Sequence, residues 1–302
     1  MTAIRNRAIF AAAAATALLA AGCGSSGSNP TSPRGQVIRA ANVTAAAKGY
    51  RFEGTVHVGI TGSTSVSFSA TISGAIETSP KRAAVNVSGN VLGHSINTSE
   101  RISGTTYWIS TAGLHNASRL TSKPWLRYDL GQTINQLGLS DLPAESSDPT
   151  QFVGYLKAVG ADVRPLGTQM VKGVSTKRYA VTVNLDNYAR LVPAGERAQA
   201  RKSIKQLTAV IGTNELHMQA WIDDHNLARR LALKLPECIA GQHVDIDLSM
   251  DLYDYGAQTK VTLPPAADSY DISGLVSKGL AAQGGLSGQG ALAGALGCGN
   301  SG

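Results

Sequence analysis

The chain has 302 residues, three cysteines and a formal net charge of +7. Hydrophobic residues make up 43% of it and charged residues 16%, which excludes a disordered chain and a protein built of many membrane spans. Three cysteines exclude a dense disulfide scaffold and argue against a cysteine-rich zinc fold. The length suits one large β-rich domain or two small ones.

The N-terminus has the pattern of an export signal. Arg5 and Arg7 precede an uncharged, alanine-rich run over 8–21, which ends on Gly22 and Cys23. A short apolar run of this kind is typical of a signal peptide and is too short to favour a membrane-spanning helix. Its Leu-Ala-Ala-Gly-Cys ending resembles a bacterial lipoprotein signal. We expect residues 1–22 to be removed and Cys23 to carry acyl chains such as palmitate. The alternatives are an ordinary secretory peptide and a buried alanine-rich helix.

The charge that remains suits a membrane surface better than nucleic acid. Without residues 1–22 the chain has 25 basic and 20 acidic residues, a net charge of +5. Such a modest excess on an exported protein does not indicate a nucleic-acid partner, whereas it suits anionic lipids. Residues 23–35 are rich in Gly, Ser and Pro and are predicted to form a flexible tether. The protein is therefore expected in the cell envelope, anchored to the outer face of the plasma membrane.

Two cysteines remain after Cys23. Cys238 and Cys298 would share an oxidising compartment, and a disulfide between them would close a loop of 61 residues. Such a bridge would contribute about 4 kcal/mol in the chain-entropy model. Two free thiols are the alternative.

The first half of the body alternates as strands do. A helix is predicted over 36–48, followed by strands with period-two alternation. Turns are predicted at Gly62-Ser63, Ser79-Pro80 and Gly89-Asn90. The predicted strands cover 50–60, 65–76, 81–88, 91–103, 105–110 and 125–130.

Two more helices divide the second half. The first opens at Asp148-Pro149, runs through Val159 and ends at Gly160. The second covers 194–211 and carries an apolar stripe, with a basic row of Arg197, Arg201 and Lys205 on another face. The predicted strands cover 162–171, 174–185, 216–222, 227–235, 244–252 and 259–263. A glycine-rich tail over 273–302 is predicted to be disordered.

This order predicts an α+β, mainly β domain over 36–272. About ten antiparallel strands with one apolar face each favour a large curved sheet, a half-open β-barrel, with helices packed on one side as a lid. A curled sheet of this kind either fills with side chains or leaves a cavity. The apolar strand positions predicted to line such a cavity are Phe52, Val56, Val58, Val66, Phe68, Ile72, Tyr179, Val181, Val183, Met218, Ile246, Leu248 and Met250.

Three short segments carry a family resemblance. They are Gly173–Leu185 (GVSTKRYAVTVNL), Ala220–Leu231 (AWIDDHNLARRL) and Leu252–Gly256 (LYDYG). With the Cys23 signal and the opening helix and strand, they resemble the LppX/LprG-type actinobacterial lipoproteins of the LolA/LolB-like superfamily. That resemblance implies a half-open barrel with an apolar cavity for acyl chains, and a carrier or chaperone of lipids or lipoproteins in the periplasm. It implies no role for individual residues.

Motifs for catalysis are missing from the sequence. It has no Gly-x-Ser-x-Gly elbow, zinc-protease motif, P-loop or dinucleotide fingerprint, so an enzyme and a cofactor are not expected. Asp223–Asn226 (DDHN) is interpreted as a turn rather than a metal cluster, since Asp and Asn favour turns. The row of Asp245, Asp247 and Asp251 is interpreted as a charged outer strand face rather than a Ca²⁺ site.

Two functions stay open at this point. The first is a lipid-anchored protein that binds acyl chains in its cavity, with Arg197, Arg201 and Lys205 contacting headgroups. The second is a structural or interaction lipoprotein with a filled barrel, which acts through its surface on an envelope partner. Trp108, Trp125 and Trp221 would line the pocket in one case and pack the core in the other. A monomer is expected, bound to a lipid or an acylated ligand.

Overall fold

The computed structural model describes twelve strands and four α-helices. It describes residues 32–61, 66–91, 94–114, 119–129, 131, 151–191, 194–211, 213–239, 242–256 and 259–275. The strands are β1 Gly49–Thr61, β2 Val66–Thr78, β3 Lys81–Val91, β4 His94–Ser103, β5 Thr106–Ser110, β6 Trp125–Asp129, β7 Val159–Val171, β8 Val174–Asn184, β9 Glu215–Ile222, β10 Ala228–Ile239, β11 Gln242–Tyr253 and β12 Ser269–Asp271. The helices are α1 Pro33–Ala45, α2 Gln151–Tyr155, α3 Leu185–Leu191 and α4 Arg197–Ile211.

All twelve strands join in one open sheet. Their order is β12-β6-β5-β4-β3-β2-β1-β11-β10-β9-β8-β7, so β12 and β7 are its edges. Every described pair is antiparallel except β12 with β6, which is parallel. The prediction of a mainly β domain with a large sheet and helices is confirmed, and the sheet is mixed rather than wholly antiparallel.

The helices cover one end of one sheet face. Helix α1 contacts β7, β9 and β10, and α4 contacts β10. Buried side chains of the helices join those of the strands in a single apolar core, with Val37, Ala40 and Ala41 of α1 fully buried. Removing such apolar surface from water is the main favourable term for this fold.

Helix α1 begins earlier than its pattern predicts. Pro33 takes the first position, where its missing N–H costs nothing, and the Ser32 hydroxyl accepts a hydrogen bond from the Gly35 N–H at 3.0 Å. Residues 33–35, predicted as part of the tether, are thus helical. Cys23 and residues 24–31 lie outside the described residues.

Two other helical boundaries differ from the predictions. The helix predicted through Val159 ends at Tyr155 and is followed by a 3₁₀ turn. Val159 is already the first residue of β7 and pairs with Val183 of β8. Helix α3 was not predicted, although the Asn184 side chain caps it by accepting a hydrogen bond from the Asn187 N–H at 3.1 Å. Asp148 and Pro149 lie outside the described residues.

The turn predicted at Gly89-Asn90 is wrong, because both residues continue β3. Gly89 pairs with Ala70 on one side and Ile96 on the other, and the strand ends at Val91. The turn at Ser79-Pro80 is confirmed and contains a cis peptide bond. Residues 62–65 lie outside the described residues.

The strand predicted at 259–263 is also wrong. The Thr259 hydroxyl donates to the Ile76 carbonyl at 2.9 Å, and the Val261 N–H donates to the Glu77 carboxylate at 3.2 Å. These bonds hold the segment across the strand ends instead of along a strand. The chain then forms β12 beside β6, where the Ile272 N–H donates to the Arg127 carbonyl at 2.8 Å. Ser273, predicted to begin the disordered tail, is buried there, and residues 276–302 lie outside the described residues.

Glycines let neighbouring strands approach closely near the middle of the sheet. A Cβ atom at Gly54 would lie 2.5 Å from the Ser249 carbonyl oxygen, and one at Gly74 would lie 2.0 Å from that of Ala84. Real Cβ atoms do not come so near, so only glycine fits. Glycine inside a strand commonly marks a tight bend or a close backbone approach, which is what a curved sheet requires here.

Candidate functional site

The strand register places every predicted cavity residue on the same sheet face. Directly opposed residues of paired strands share a face, and alternate residues along a strand do too. Val58 opposes Phe68 and Ile246, and Val181 opposes Met218. The positions brought together in this way are Phe52, Val56 and Val58 of β1, Val66, Phe68 and Ile72 of β2, Tyr179, Val181 and Val183 of β8, Met218 of β9, and Ile246, Leu248 and Met250 of β11.

The helices bury one half of this face. Tyr179, Val181, Val183 and Met218 are at most 4% exposed and belong to the core shared with α1 and α3. Phe52 and Met250 are equally buried in that core. The Tyr179 hydroxyl also donates to the side-chain oxygen of Gln36 on α1. These side chains have the environment of packed core residues.

The other half of the face is only half-buried. It lies toward the ends of the strands at 61, 66, 91, 94, 239 and 242, away from the helices. We call it the distal apolar face, and define it by Val56, Val58, Phe68, Ile72, Val87, Ile96, Leu235, Ile246 and Leu248. Of these, Leu235 and Leu248 also pack against the core and form its border with the helix-covered half. On the reverse side the same strands present exposed polar residues such as Ser67, Ser69 and Asn97. The sheet thus has an apolar face and a hydrated face at this end.

A polar group interrupts the apolar face near the β12 edge. Glu100 opposes Val85 and Ile109, and its side chain has no hydrogen-bond or ion-pair partner among the described residues. Burial raises the pKa of its carboxyl group above the ordinary value of 4.5. Thr98, two residues earlier, has a buried hydroxyl that no described residue bonds.

Two stacked tyrosines lie beside Glu100. The rings of Tyr107 and Tyr128 are 5.0 Å apart and nearly parallel, at 11°. Burial, with Tyr107 and Glu100 nearby, raises the pKa of Tyr128 to about 12. Sequence reasoning missed this group, since Ile96, Thr98, Glu100 and Ile102 mix apolar and polar side chains at the positions that share a face.

The three tryptophans lie on the reverse face of the sheet. Trp108 opposes Arg101 and Arg127, and Trp125 opposes Ser110. Trp221 lies between the guanidinium groups of Arg178 and Arg230, 5.1 and 5.7 Å from its ring centre. Its indole N–H donates to the Gln169 side chain at 2.8 Å. Tryptophan therefore packs the reverse face and does not line the predicted cavity.

A depression of about 290 Å³ also lies on the reverse face, over Ala180 and Ala232. Its rim is polar: Arg164 and Asp162 are 3.6 Å apart, and His217 and Thr182 side chains are 3.3 Å apart. The small floor residues between larger neighbours create the hollow. Charged and polar groups at its rim distinguish it from the distal apolar face.

Three of the acidic residues considered for metal binding have other partners. Asp223 accepts hydrogen bonds from the N–H groups of His225 and Leu227 at 2.9 and 2.8 Å, as a turn residue does. Asp247 pairs with Lys234 at 3.0 Å, and Asp251 accepts a hydrogen bond from Arg230 at 2.8 Å. Within the described ranges no three His, Cys, Asp or Glu residues are grouped as a metal site would need.

The remaining predicted site residues are placed only in part. Arg197, Arg201 and Lys205 all lie exposed on α4. Cys238 lies in β10 opposite His243, and Cys298 falls outside the described residues, so the disulfide stays a prediction. Among the residues that the structure describes, none forms a helix with the length and apolar character to cross a membrane.

Comparison of the sequence with known proteins finds a relative in Streptomyces griseus. No family model matches the chain. An uncharacterized 31.2 kDa protein from the rplA–rplJ intergenic region of Streptomyces griseus is 26% identical over 178 residues. The match covers 57% of this chain and 55% of that protein, so the chain spans about half the length of the relative it matches.

Several solved structures resemble the fold. The lipoprotein LppX of Mycobacterium tuberculosis has a TM-score of 0.44 at 11% identity, covering 76% of this chain and 98% of its own. LprF of Mycobacterium bovis has a TM-score of 0.42 at 14% identity, and the match covers 77% of this chain and 96% of LprF. A LolA superfamily protein of Nitrosomonas europaea has a TM-score of 0.28 at 6% identity, and the match covers 80% of this chain and 98% of that protein.

Proposed function

We propose that this protein is a membrane-anchored lipoprotein that binds the acyl chains of a lipid or acylated ligand against the distal apolar face. The observation that carries the proposal is the half-burial of that face, on an open sheet whose other half is sealed by helices. Cys23 would hold the protein beside the membrane that supplies the lipid.

Burial of hydrocarbon would drive binding without a covalent step. Each CH₂ group removed from water contributes about 0.8 kcal/mol. Six neighbouring strands contribute to the distal apolar face, in the order β4-β3-β2-β1-β11-β10. Neighbouring strands lie about 4.8 Å apart. The face is therefore about 24 Å wide, which gives room for more than one acyl chain.

The alternative is an interaction lipoprotein whose interior is filled by its own side chains. The observation in its favour is that Tyr179, Val181, Val183 and Met218 are fully packed under helices. The two functions differ in a measurable way, because only a carrier holds lipid.

The test is native mass spectrometry of the mature chain, residues 23–302 with Cys23→Ser, purified from a lipid-containing host, together with organic extraction. A carrier should retain about one lipid per protein. A bare protein mass that stays unchanged after incubation with lipid vesicles would refute the carrier and favour the interaction lipoprotein.

Matched variants locate the lipid. Phe68→Asp puts a charge on the distal apolar face, whereas Ser67→Asp puts the same charge on the hydrated reverse face one residue away. We expect Phe68→Asp to lower lipid retention more than tenfold and Ser67→Asp to leave it unchanged. Ala70→Trp adds a large side chain to the apolar face, whereas Thr71→Trp adds the same side chain to the reverse face. Only Ala70→Trp should lower lipid retention. Equal retention in all four variants would place the lipid elsewhere.

A further inference from the structure

The helical segments carry all the net positive charge of the mature chain. Residues 33–45, 151–158, 185–191 and 194–211 contain eight basic and two acidic residues, a net charge of +6. The rest of residues 23–302 contains 17 basic and 18 acidic residues, a net charge of −1. The net positive charge therefore belongs to the helical segments and not to the rest of the chain.

These segments form one continuous layer. Helix α1 packs against α2 and the 3₁₀ turn Leu156–Ala158, that turn packs against α3, and α3 packs against α4. We call this the helical layer. Its segments are far apart in sequence, so the fold is what assembles their charges into one surface.

The cations of the helical layer are directed to solvent. The exposed ones are Arg39, Arg190, Arg197, Arg201, Lys202 and Lys205. Arg197, Arg201 and Lys205 are spaced by four residues and therefore lie along one side of α4, where all three are exposed. Arg39, Arg190, Arg201 and Lys205 make no ion pair among the described residues, whereas sheet cations such as Arg230 and Lys172 do.

Apolar side chains are exposed among these cations. Leu191 ends α3 with 56% of its surface exposed, next to Arg190. Val43 is 38% exposed on α1, one turn after Arg39. Cations interspersed with exposed apolar side chains are typical of protein surfaces that lie on a bilayer interface.

A lipid anchor on Cys23 would be tied closely to the same layer. Nine residues separate Cys23 from Pro33, where α1 begins, and the ten steps between their Cα atoms reach at most about 35 Å. A lipid on Cys23 would keep the helical layer within that distance of the membrane. The local concentration of anionic headgroups around it would be high.

We propose that the helical layer is a membrane-docking surface that binds anionic lipid headgroups at the bilayer face. It would set the orientation of the anchored domain, with the helices against the bilayer and the reverse face of the sheet away from it. This docking is separate from lipid binding on the distal apolar face and does not depend on it.

The test is co-sedimentation of the mature chain with Cys23→Ser, so that no covalent anchor contributes. One set of vesicles is phosphatidylcholine alone, and the other is equal parts phosphatidylcholine and phosphatidylglycerol. We expect binding to the anionic vesicles only. It should be lost as salt is raised from about 0.1 M to 1 M, since the Debye length falls from about 10 Å to 3 Å.

Two triple variants separate the helical layer from net charge. Arg197→Gln/Arg201→Gln/Lys205→Gln removes three cations from α4, and Lys81→Gln/Lys177→Gln/Lys260→Gln removes three exposed cations from the rest of the domain. A cation near an anionic membrane contributes about fivefold to partitioning, so the first variant should lower it about 100-fold. The second should have less than a fivefold effect.

An apolar pair makes the same comparison. Leu191→Ser changes an exposed leucine of the helical layer, and Leu166→Ser changes one on β7 that is 45% exposed. Only Leu191→Ser should weaken vesicle binding. Equal losses in the two triple variants, or no binding of the parent chain to anionic vesicles at low salt, would overturn the proposal. Lipid retained in native mass spectra of the α4 variant would show that carriage and docking are independent.

Discussion

Replacing Gly74 with alanine tests the close packing of strands that curves the sheet. The new Cβ atom would lie 2.0 Å from the Ala84 carbonyl oxygen and 2.9 Å from the Phe52 ring. That oxygen belongs to the backbone of β3, and Phe52 is 2% exposed in the core. Neither neighbour can move aside at low cost, so β2 and β3 would have to separate locally.

The expected loss of stability is about 2 kcal/mol or more. Overpacking a filled site costs about 1–3 kcal/mol, and the backbone contact at Gly74 favours the upper end. Against this, alanine reduces the entropy of the unfolded chain, which stabilises by about 0.4–1 kcal/mol. Gly59→Ala in β1 keeps that gain without the clash, since the nearest atom to its Cβ would be the Asp245 Cβ at 4.0 Å. Gly59→Ala should therefore be neutral or slightly stabilising.

Urea unfolding followed by circular dichroism measures both variants. The urea midpoint of Gly74→Ala should fall below that of the parent, and the midpoint of Gly59→Ala should equal or exceed it. The free energies of unfolding of the two variants should differ by about 2–3 kcal/mol, with the slopes unchanged. Lipid retention should fall in Gly74→Ala, because the strands that carry Phe68 and Val87 would be displaced. If the two alanine variants are equally stable, β2 and β3 are not as close as described and the explanation of the curvature is wrong.

Two further predictions concern buried charges. Asp223→Ala removes a side chain that is 2% exposed and ion-paired with Arg229 at 2.6 Å, so we expect a loss of about 3–5 kcal/mol in urea unfolding. The exposed neighbour Asp224→Ala should stay within about 0.5 kcal/mol of the parent, and an equally mild Asp223→Ala would contradict the structure. Because burial raises the pKa of Glu100, its ionised form destabilises the fold at neutral pH. Glu100→Gln should therefore be more stable than the parent above the raised pKa, and the difference should vanish as pH falls below the ordinary value of 4.5. A stability difference that does not change with pH would show that the carboxyl group is not the cause.

The alternation of strands in the sequence was enough to predict which side chains share a face. Phe52, Val56 and Val58 alternate with polar residues, and the register places them with Ile246 and Leu248 as predicted. Alternation is a property of each strand alone, because successive side chains point to opposite faces. The alternation of side chains along a strand is therefore the same whatever the order of the strands in the sheet.

What alternation cannot predict is which strands are neighbours and what covers them. Val181 and Val58 look alike in sequence, yet Val181 is buried under helices and Val58 lies on the distal apolar face. That difference depends on where α1 and α4 pack, which is a tertiary property. The short parallel strand β12 and the seven-residue helix α3 were missed for a related reason, since both are too short to establish a period.

The position of Glu100 illustrates the limit for polar residues. A charged residue in a strand pattern is normally assigned to the hydrated face, and only the pairing with Val85 and Ile109 shows that Glu100 shares the apolar one. Its raised pKa follows from that placement. Departures from pattern of this kind concentrate at functional or strained positions in proteins.

The pairing of β1 with β11 has a consequence for the order of folding. Gly54 and Met250 are opposite one another in the sheet although 195 residues lie between them in the chain. Closing so long a loop is slow, and sheets dominated by such distant contacts fold slowly for that reason. A chain that crosses a membrane in order, as the predicted leader implies, delivers β1 long before β11. Until β11 arrives, one edge of β1 has no partner strand and can join strands of other molecules. We therefore expect folding to be completed only after most of the chain has crossed, and to benefit from chaperones that shield β1 in the meantime.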